Sequence, residues 1–294
     1  MTTVKTVAVT GATGQIGTEL VRRLLERGVR VRALSRGGAK AEGLDRAGAD
    51  VRVGKPDDAA YLEEAFRGVD AVFAMTPPNY TAARFFDEQI RTGEAIVDAI
   101  RRAGVRRVVH LSSLGAELSS GTGVVEGLHH LEKKLDALEG VDVVHLRPGF
   151  FLENVHFFGA TIASMDAIVA PLEKTTPVHF VATRDIAVRA VEALLGNAVG
   201  VEEILGAETK TMPEFAELLG RAVGRPIAFV SVPYDAAAGA MEASGMSRGA
   251  ARRMTELYAA MNEGRLGRVE RTAKNTSATS VEAFLREVAP AFRK

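Results

Sequence analysis

Three glycines, Gly11, Gly14 and Gly17, constrain this chain more than any other feature. They follow a short apolar, β-branched run from Val4 to Thr10. They open a segment from Gln15 to Arg27 in which Leu20, Val21, Leu24 and Leu25 recur at helical spacing, with Gly28 placed to cap its end. A strand that turns straight into a helix presents the helix's free N–H groups and its positive dipole end at the turn, which suits a phosphate. Gly11 permits the tight turn, Gly14 lets the backbone approach a pyrophosphate, and Gly17 lets the helix pack close to the sheet. The turn Thr10-Gly11-Ala12-Thr13-Gly14-Gln15-Ile16-Gly17 therefore predicts a dinucleotide site that includes Thr13, Gln15 and Ile16 as well as the glycines.

The segments that follow repeat the alternation. Val29–Leu34, Asp50–Val53, Val69–Met75, Arg107–Ser112 and Val141–Arg147 read as strands. Helical patterns lie between them at 38–47, 59–66, 84–103 and 129–138. Strands alternating with helices predict an α/β fold, a doubly wound parallel sheet of Rossmann type covered on both faces. After Pro148 the pattern is less regular. Residues 150–171 mix aromatics with small residues, 183–195 and 212–223 return to helical spacing, and 227–232 reads as a strand. Residues 234–262 are mostly helical and 280–292 close the chain. The Gly- and Ser-containing stretch 119–123 is expected to be a mobile loop.

Composition narrows the function classes. Lys plus Arg equals Asp plus Glu at 37 each, so no global field favours nucleic acid or an anionic membrane. Cysteine is absent, which excludes disulfides, thiolate metal sites and cysteine nucleophiles. The adjacent His129 and His130 lack carboxylates at ligand spacing, so no metal site is expected. No Gly-x-Ser-x-Gly elbow occurs. The basic stretch 265–274, interrupted by Glu270, reads as solvated surface. No leader-like segment or membrane-length apolar run is present, so a soluble, cytoplasmic protein is expected, without membrane or nucleic-acid partners.

The second strand ends in Ser35-Arg36, where NAD-preferring domains carry an acidic residue for the ribose 2′-OH. An arginine can instead make bidentate, charge-assisted bonds to a 2′-phosphate, with Ser35 and Lys40 adding to it. NADP(H) is thus expected ahead of NAD(H). Asp57 could border the adenine. The fourth strand ends in Met75-Thr76-Pro77-Pro78-Asn79, at the level where such sheets bind ligands; Thr76 and Pro77 are expected at the cofactor and Pro78 at the substrate.

These segments, together with Val109-His110-Leu111-Ser112-Ser113, Leu146-Arg147-Pro148-Gly149-Phe150-Phe151-Leu152-Glu153-Asn154, Asp185-Ile186-Ala187 and the run 225–233, resemble the NmrA-like branch of the atypical short-chain dehydrogenases/reductases. The resemblance implies a Rossmann domain over 1–154, with 176–198 returning to it. A smaller, discontinuous C-terminal α/β lobe would then take 155–175 and 199–294, with a substrate cleft between the two. It also implies an activity among NAD(P)H:quinone reductases and related reductases of aromatic compounds, or a redox sensor that binds NADP(H) without catalysis.

The chemistry is less defined. None of Tyr61, Tyr80, Tyr234 and Tyr258 is followed by lysine four positions on, so the Tyr-x-x-x-Lys pair of many short-chain dehydrogenases is missing. His130 and Lys134 share a helix face, as do His129 and Lys133. Either pair could serve catalysis or lie on a solvated face. The spacing to Arg147 resembles that of family members if Lys134 is the lysine at the cofactor. Ser113 is a catalytic candidate and Ser112 a cofactor contact, with capping of the next turn as the alternative. Pro148, Gly149 and Phe150 are expected at the cofactor, and Phe151, Asn154 and His156 at the substrate. Core packing would account for at least one of the two phenylalanines. His179 and Phe180 are further candidates. The expected function is NADPH-dependent reduction of a quinone or a similar conjugated, aromatic small molecule by a monomer or homodimer. The alternatives are a sensor, or a dedicated natural-product biosynthetic reductase or isomerase.

Overall fold

The computed structural model describes residues 4–266 and 268–293. Seven parallel strands form the main sheet: β1 (Thr6–Val9), β2 (Arg30–Ser35), β3 (Asp50–Val53), β4 (Ala71–Ala74), β5 (Arg107–Leu111), β6 (Asp142–Pro148) and β10 (Gly200–Ile204). Their spatial order is β10-β6-β5-β4-β1-β2-β3. The order reverses beside β1, which opens a crevice at the carboxyl ends of β1 and β4.

Strand alternation divides the core. Val7 and Val9 of β1 face α1 (Gln15–Glu26) and α7 (Thr183–Leu195). Ala8 joins Val72, Val108 and Val143 under α3 (Ala59–Phe66), α4 (Phe85–Ala103) and α5 (Glu126–Asp136). α2 (Ala39–Arg46) packs beside β2 and β3. Each large apolar side chain buried in these layers contributes roughly 1.5–3 kcal/mol. Arg107 stitches α7 to the sheet by donating to the carbonyls of Ala193, Leu194 and Ala198.

A second core belongs to the smaller lobe. It gathers β7 (Phe150–Phe151), β9 (Val178–Val181) and β11 (Glu208–Lys210) into one small sheet, and β8 (Ala167–Ala170) with β12 (Ala228–Ser231) into another. Helices α6 (Gly159–Met165), α8 (Met212–Val223), α9 (Tyr234–Ala243), α10 (Arg248–Asn262) and α11 (Val281–Val288) complete it. α8 opens with a capping box between Thr211 and Glu214.

Gly200–Ile204 sits in the main sheet, whereas the division expected from the sequence gave all of 199–294 to the smaller lobe. The strand is hard to read because it lies at an edge, where only Ile204 is buried and the pattern Gly-Val-Glu-Glu-Ile carries little apolar signal. Two further expectations change. The 119–123 stretch is tied down: Arg265 donates to the carbonyls of Gly121 and Ser120, Arg253 to that of Gly123, and Glu126 accepts from the Gly121 N–H. The basic run supplies tertiary anchors as well as surface, since Arg271 donates to the Gly206 and Leu205 carbonyls; Gly267 within it lies outside the described residues. No helix among the described residues is long and apolar enough to cross a membrane.

Candidate functional site

The glycine turn is built for close approach. Gly11 has φ +62°, and a Cβ there would lie 2.6 Å from Met75 Sδ. A Cβ on Gly17 would lie 2.2 Å from the Gly11 carbonyl oxygen, so a side chain would push α1 off the strand end. Thr10 clamps the turn to β4: its hydroxyl donates to the Met75 carbonyl at 2.9 Å and accepts from the Met75 N–H at 2.7 Å. Gly14 caps α1 without a side-chain hydrogen bond, so the first-turn N–H groups, near exposed Gly14 and Gln15, stay open to an anion. Thr13 is half-buried beside them, while Ile16 and Gly17 are buried.

At the end of β2 the Ser35 hydroxyl accepts from the Gly37 N–H at 3.0 Å, which shapes the turn into α2. Arg36 is exposed and pairs with no carboxylate among the described residues. Arg32, by contrast, is held by Asp50 and by the carbonyls of Ala65 and Arg67. Lys40 is exposed nearby, and Asp57 is engaged by Arg91 at 3.4 Å. Open helix N–H groups, a turn that excludes Cβ atoms and an unpaired guanidinium fit a dinucleotide carrying a 2′-phosphate.

The parallel register brings the remaining expected cofactor residues to the same edge. Thr76 and Pro77 follow β4, Ser112 follows β5, and Pro148, Gly149 and Phe150 span the end of β6 and the start of β7. Pro78 is exposed beyond them, and Asn79 turns back to α4 through Glu88. Gly149 has a packing reason of its own, since a Cβ would sit 2.3 Å from the His179 carbonyl oxygen. Phe150 packs on the smaller lobe's core and Phe151 on the main core, so the pair bridges the two.

The helix α5 departs from expectation. His130 Nε2 lies 3.3 Å and Lys134 Nζ 3.9 Å from Glu94 Oε1 of α4. The two do share a face, but that face looks toward α4. The inward residue of the run is Glu132, 3% exposed. At 3.6 residues per turn, Lys134 lies about 200° around the helix from it. His129 contacts the Ala116 carbonyl at 2.7 Å, and His129, His130 and Lys133 line an outer groove of about 610 Å³ with Phe86 and Arg91. Lys134 and His130 thus lie beside Glu94 of α4, and the residue of this run that meets Ser112 at the end of β5 is Glu132.

Glu132 instead accepts from Ser112 Oγ at 2.5 Å and from Arg147 at 2.9 and 2.6 Å. Burial pushes its carboxyl up, but the bonds from Arg147 and Ser112 outweigh it and hold it below the usual carboxylate range. The Arg147 guanidinium is raised by the same pairing. Ser113, half-buried, gives its hydroxyl proton to the Leu114 carbonyl. The signal for Glu132 was present in the chain: Leu128, Leu131, Glu132 and Leu135 occupy the i, i+3, i+4, i+7 stripe, so Glu132 holds an apolar position.

Beside this pair, His110 Nδ1 lies 3.1 Å from His145 Nδ1, and His145 Nε2 lies 2.9 Å from Asp136 Oδ1. Assigning protons from this network makes His145 the donor to Asp136 and His110 the donor to His145. His110 Nε2 is then a buried lone pair without a partner among the described residues. Burial pushes the His110 imidazole down to about 3, and the neighbouring His145 adds to the shift. His110, Glu132 and His145 bring ligand atoms within 4.8 Å of one another, a cluster the sequence reading missed. Glu132 is already saturated by Arg147 and Ser112, and that guanidinium opposes a second cation.

Asn154 is half-buried at the start of the smaller lobe, and its neighbour Glu153 caps α7 through the Thr183 N–H and hydroxyl. His156 is exposed and stacks on Phe292. His179 bonds Thr209 at 2.8 Å, and Phe180 is buried core.

A switch-point crevice over an open helix N-terminus, beside a second lobe, defines a Rossmann-type dinucleotide-binding protein with a discontinuous partner lobe. The NmrA-like family model matches residues 3–285, and the chain belongs to that family. It is 31% identical over 255 residues to the NAD(P)H azoreductase of Xenophilus azovorans, covering 86% of each chain. Its fold is that of the Escherichia coli NADPH-dependent quinone oxidoreductase QOR2 complexed with NADPH (TM-score 0.79, 21% identity, 97% of this chain and 98% of that one). It is also that of NmrA, a negative transcriptional regulator, in complex with NAD (TM-score 0.76, 18% identity, 98% and 96%).

Proposed function

We propose that this chain is an NADPH-dependent reductase of quinones or similar conjugated aromatic acceptors, azo compounds included. The observation that carries the reading is the unpaired Arg36 beside Ser35, on the same crevice as the open glycine turn. It is supported by the 31% identity to an NAD(P)H azoreductase across most of both chains. The bound nicotinamide supplies a hydride. The protein's part is to hold the pyrophosphate on the first turn of α1, to hold the 2′-phosphate on Arg36, and to place the acceptor where Pro78, Phe150 and Phe151 give apolar walls. The Glu132–Arg147 pair fixes Ser112 at the crevice end of β5, so that Ser112 can accept a hydrogen bond there while donating to Glu132.

The test is oxidation of NADPH in the presence of a panel of p-quinones and azo dyes. Turnover with several of them supports the reading, and silence across the panel despite cofactor binding removes it. A sensor role is the second reading, favoured by the likeness to NmrA. It requires unequal affinity for NADP⁺ and NADPH, because a ligand shifts an equilibrium only by differential binding.

A further inference from the structure

The chain has no cysteine, so its softest oxidisable groups are the thioethers of methionine. One of them is built into the nucleotide turn. Met75 follows β4, and its Sδ, Cγ and Cε lie 2.6, 2.9 and 3.1 Å from the point where a Cβ on Gly11 would stand. The thioether thus fills the place of the side chain that Gly11, at φ +62°, does not have. Met75 is half-buried and packs on the main core, so the group is enclosed on the core side and within reach of a small oxidant on the other. The other described methionines lie between Met165 and Met261, on or beside the helices of the smaller lobe. Met165 is 62% exposed, but it ends α6.

The backbone on either side of this contact is pinned. The Thr10 hydroxyl accepts from the Met75 N–H at 2.7 Å and donates to the Met75 carbonyl at 2.9 Å, and the Thr10 N–H donates to the Phe73 carbonyl at 3.0 Å. The strand end that carries the thioether and the strand end that carries the turn therefore move as one. An atom added between them presses on Gly11 itself. The Gly11 carbonyl accepts from the Gly14 N–H at 3.0 Å and lies 2.2 Å from where a Cβ on Gly17 would stand. A shift of Gly11 is thus passed to the start of α1, whose open N–H groups face the pyrophosphate.

We propose that Met75 is an oxidation site that controls nucleotide binding. The oxidant is a peroxide. With hydrogen peroxide, a lone pair of Met75 Sδ takes one oxygen, the S–O bond forms as the O–O bond breaks, the sulfur loses two electrons and the peroxide leaves as water. The product is a sulfoxide, larger and polar where the thioether was apolar. It either displaces Gly11 or withdraws the side chain from it, and in both cases the turn loses the surface it is packed on. Reduction of the sulfoxide returns the thioether and the site. Only the glycine turn and its thioether are needed, so the proposal stands or falls apart from the reductase reading.

The test exposes the wild-type protein to graded hydrogen peroxide, removes the peroxide, reads the oxidation of each methionine by peptide mass spectrometry, and titrates NADPH by its fluorescence. The Kd for NADPH should rise about 10-fold or more as Met75 becomes sulfoxide, the scale of forcing extra atoms into a packed contact. The rise should follow Met75 and not Met165. A pair of methionine sulfoxide reductases, one for each sulfoxide epimer, should restore the original Kd. Met75→Leu, which keeps the volume and removes the sulfur, should give the same Kd before and after peroxide. The wild-type time course and its rescue decide the matter even if Met75→Leu folds poorly. A Met75 that stays unoxidised while Met165 is fully converted overturns the proposal. So does an unchanged Kd in protein whose Met75 is sulfoxide, a Kd that stays high after the sulfoxide has been reduced, or an equal loss in Met75→Leu.

Discussion

In the proposed reading cofactor choice falls to Arg36, for which no carboxylate competes among the described residues, whereas Arg32 and Arg52 beside it are spent on carboxylates or carbonyls. Charge-assisted bonds of this kind are worth roughly 1.5–3 kcal/mol, or about 10- to 100-fold in affinity. Arg36→Asp should therefore weaken NADPH by about that factor or more and leave NADH nearly unchanged in a fluorescence titration. Equal losses would take the 2′-phosphate away from this residue. His110 makes a second residue-scale prediction. Its folded-state pKa, about 3, lies below the ordinary 6.5. Above pH 6.5 both folded and unfolded chains hold a neutral imidazole, and the contribution to stability is fully present. As pH falls from 6.5 toward 3, the unfolded chain takes up a proton that the folded chain refuses, and stability drains away. The loss should be on the order of a few kcal/mol. Urea unfolding at a series of pH values should show this slope in the wild type and a flatter one in His110→Asn. The same slope in both would locate the titration elsewhere.

At the scale of elements, the first six strands and their helices were legible because each carries its own periodicity and an apolar stripe of sufficient length. The strands of the smaller lobe were not. β7, β9 and β11 are two to four residues long and are held by pairing across distant segments, such as Glu208 with Phe180. Local pattern cannot specify such pairing. The same limit applies to the site. The glycine turn and Arg36 are local signals, but the orientation of α5 depends on which stripe the core claims. The charged run His129–Lys134 hid the buried Glu132 within it. The contact between α10 and the turn 123–125 was invisible for the same reason, and it carries a prediction. Gly123 has φ +57°, and a Cβ there would lie 1.8 Å from the Arg253 carbonyl oxygen. Gly123→Ala should push α10 away at a cost of about 1–3 kcal/mol. Urea unfolding of the variant beside the wild type should show that loss of stability. A variant as stable as the wild type would contradict that contact.

For the molecule as a whole, two cores meet along one crevice. The main sheet supplies the nucleotide turn, and the smaller lobe supplies Phe150's packing partners. Their connections are polar and specific: Glu153 caps α7, Asp185 holds the Thr279 N–H and hydroxyl, and Arg184 pairs with Glu287 of α11. Such anchoring ties the smaller lobe to α7 of the main one. The central claim is that the bound nucleotide reacts. The most direct measurement is the steady-state oxidation of NADPH and of NADH by the wild-type protein, with and without a p-quinone, followed at the nicotinamide absorbance. The account predicts quinone-dependent oxidation, with NADPH preferred over NADH in kcat/KM. Tight NADPH binding with no oxidation above the protein-free rate would contradict it and leave the nucleotide as a signal.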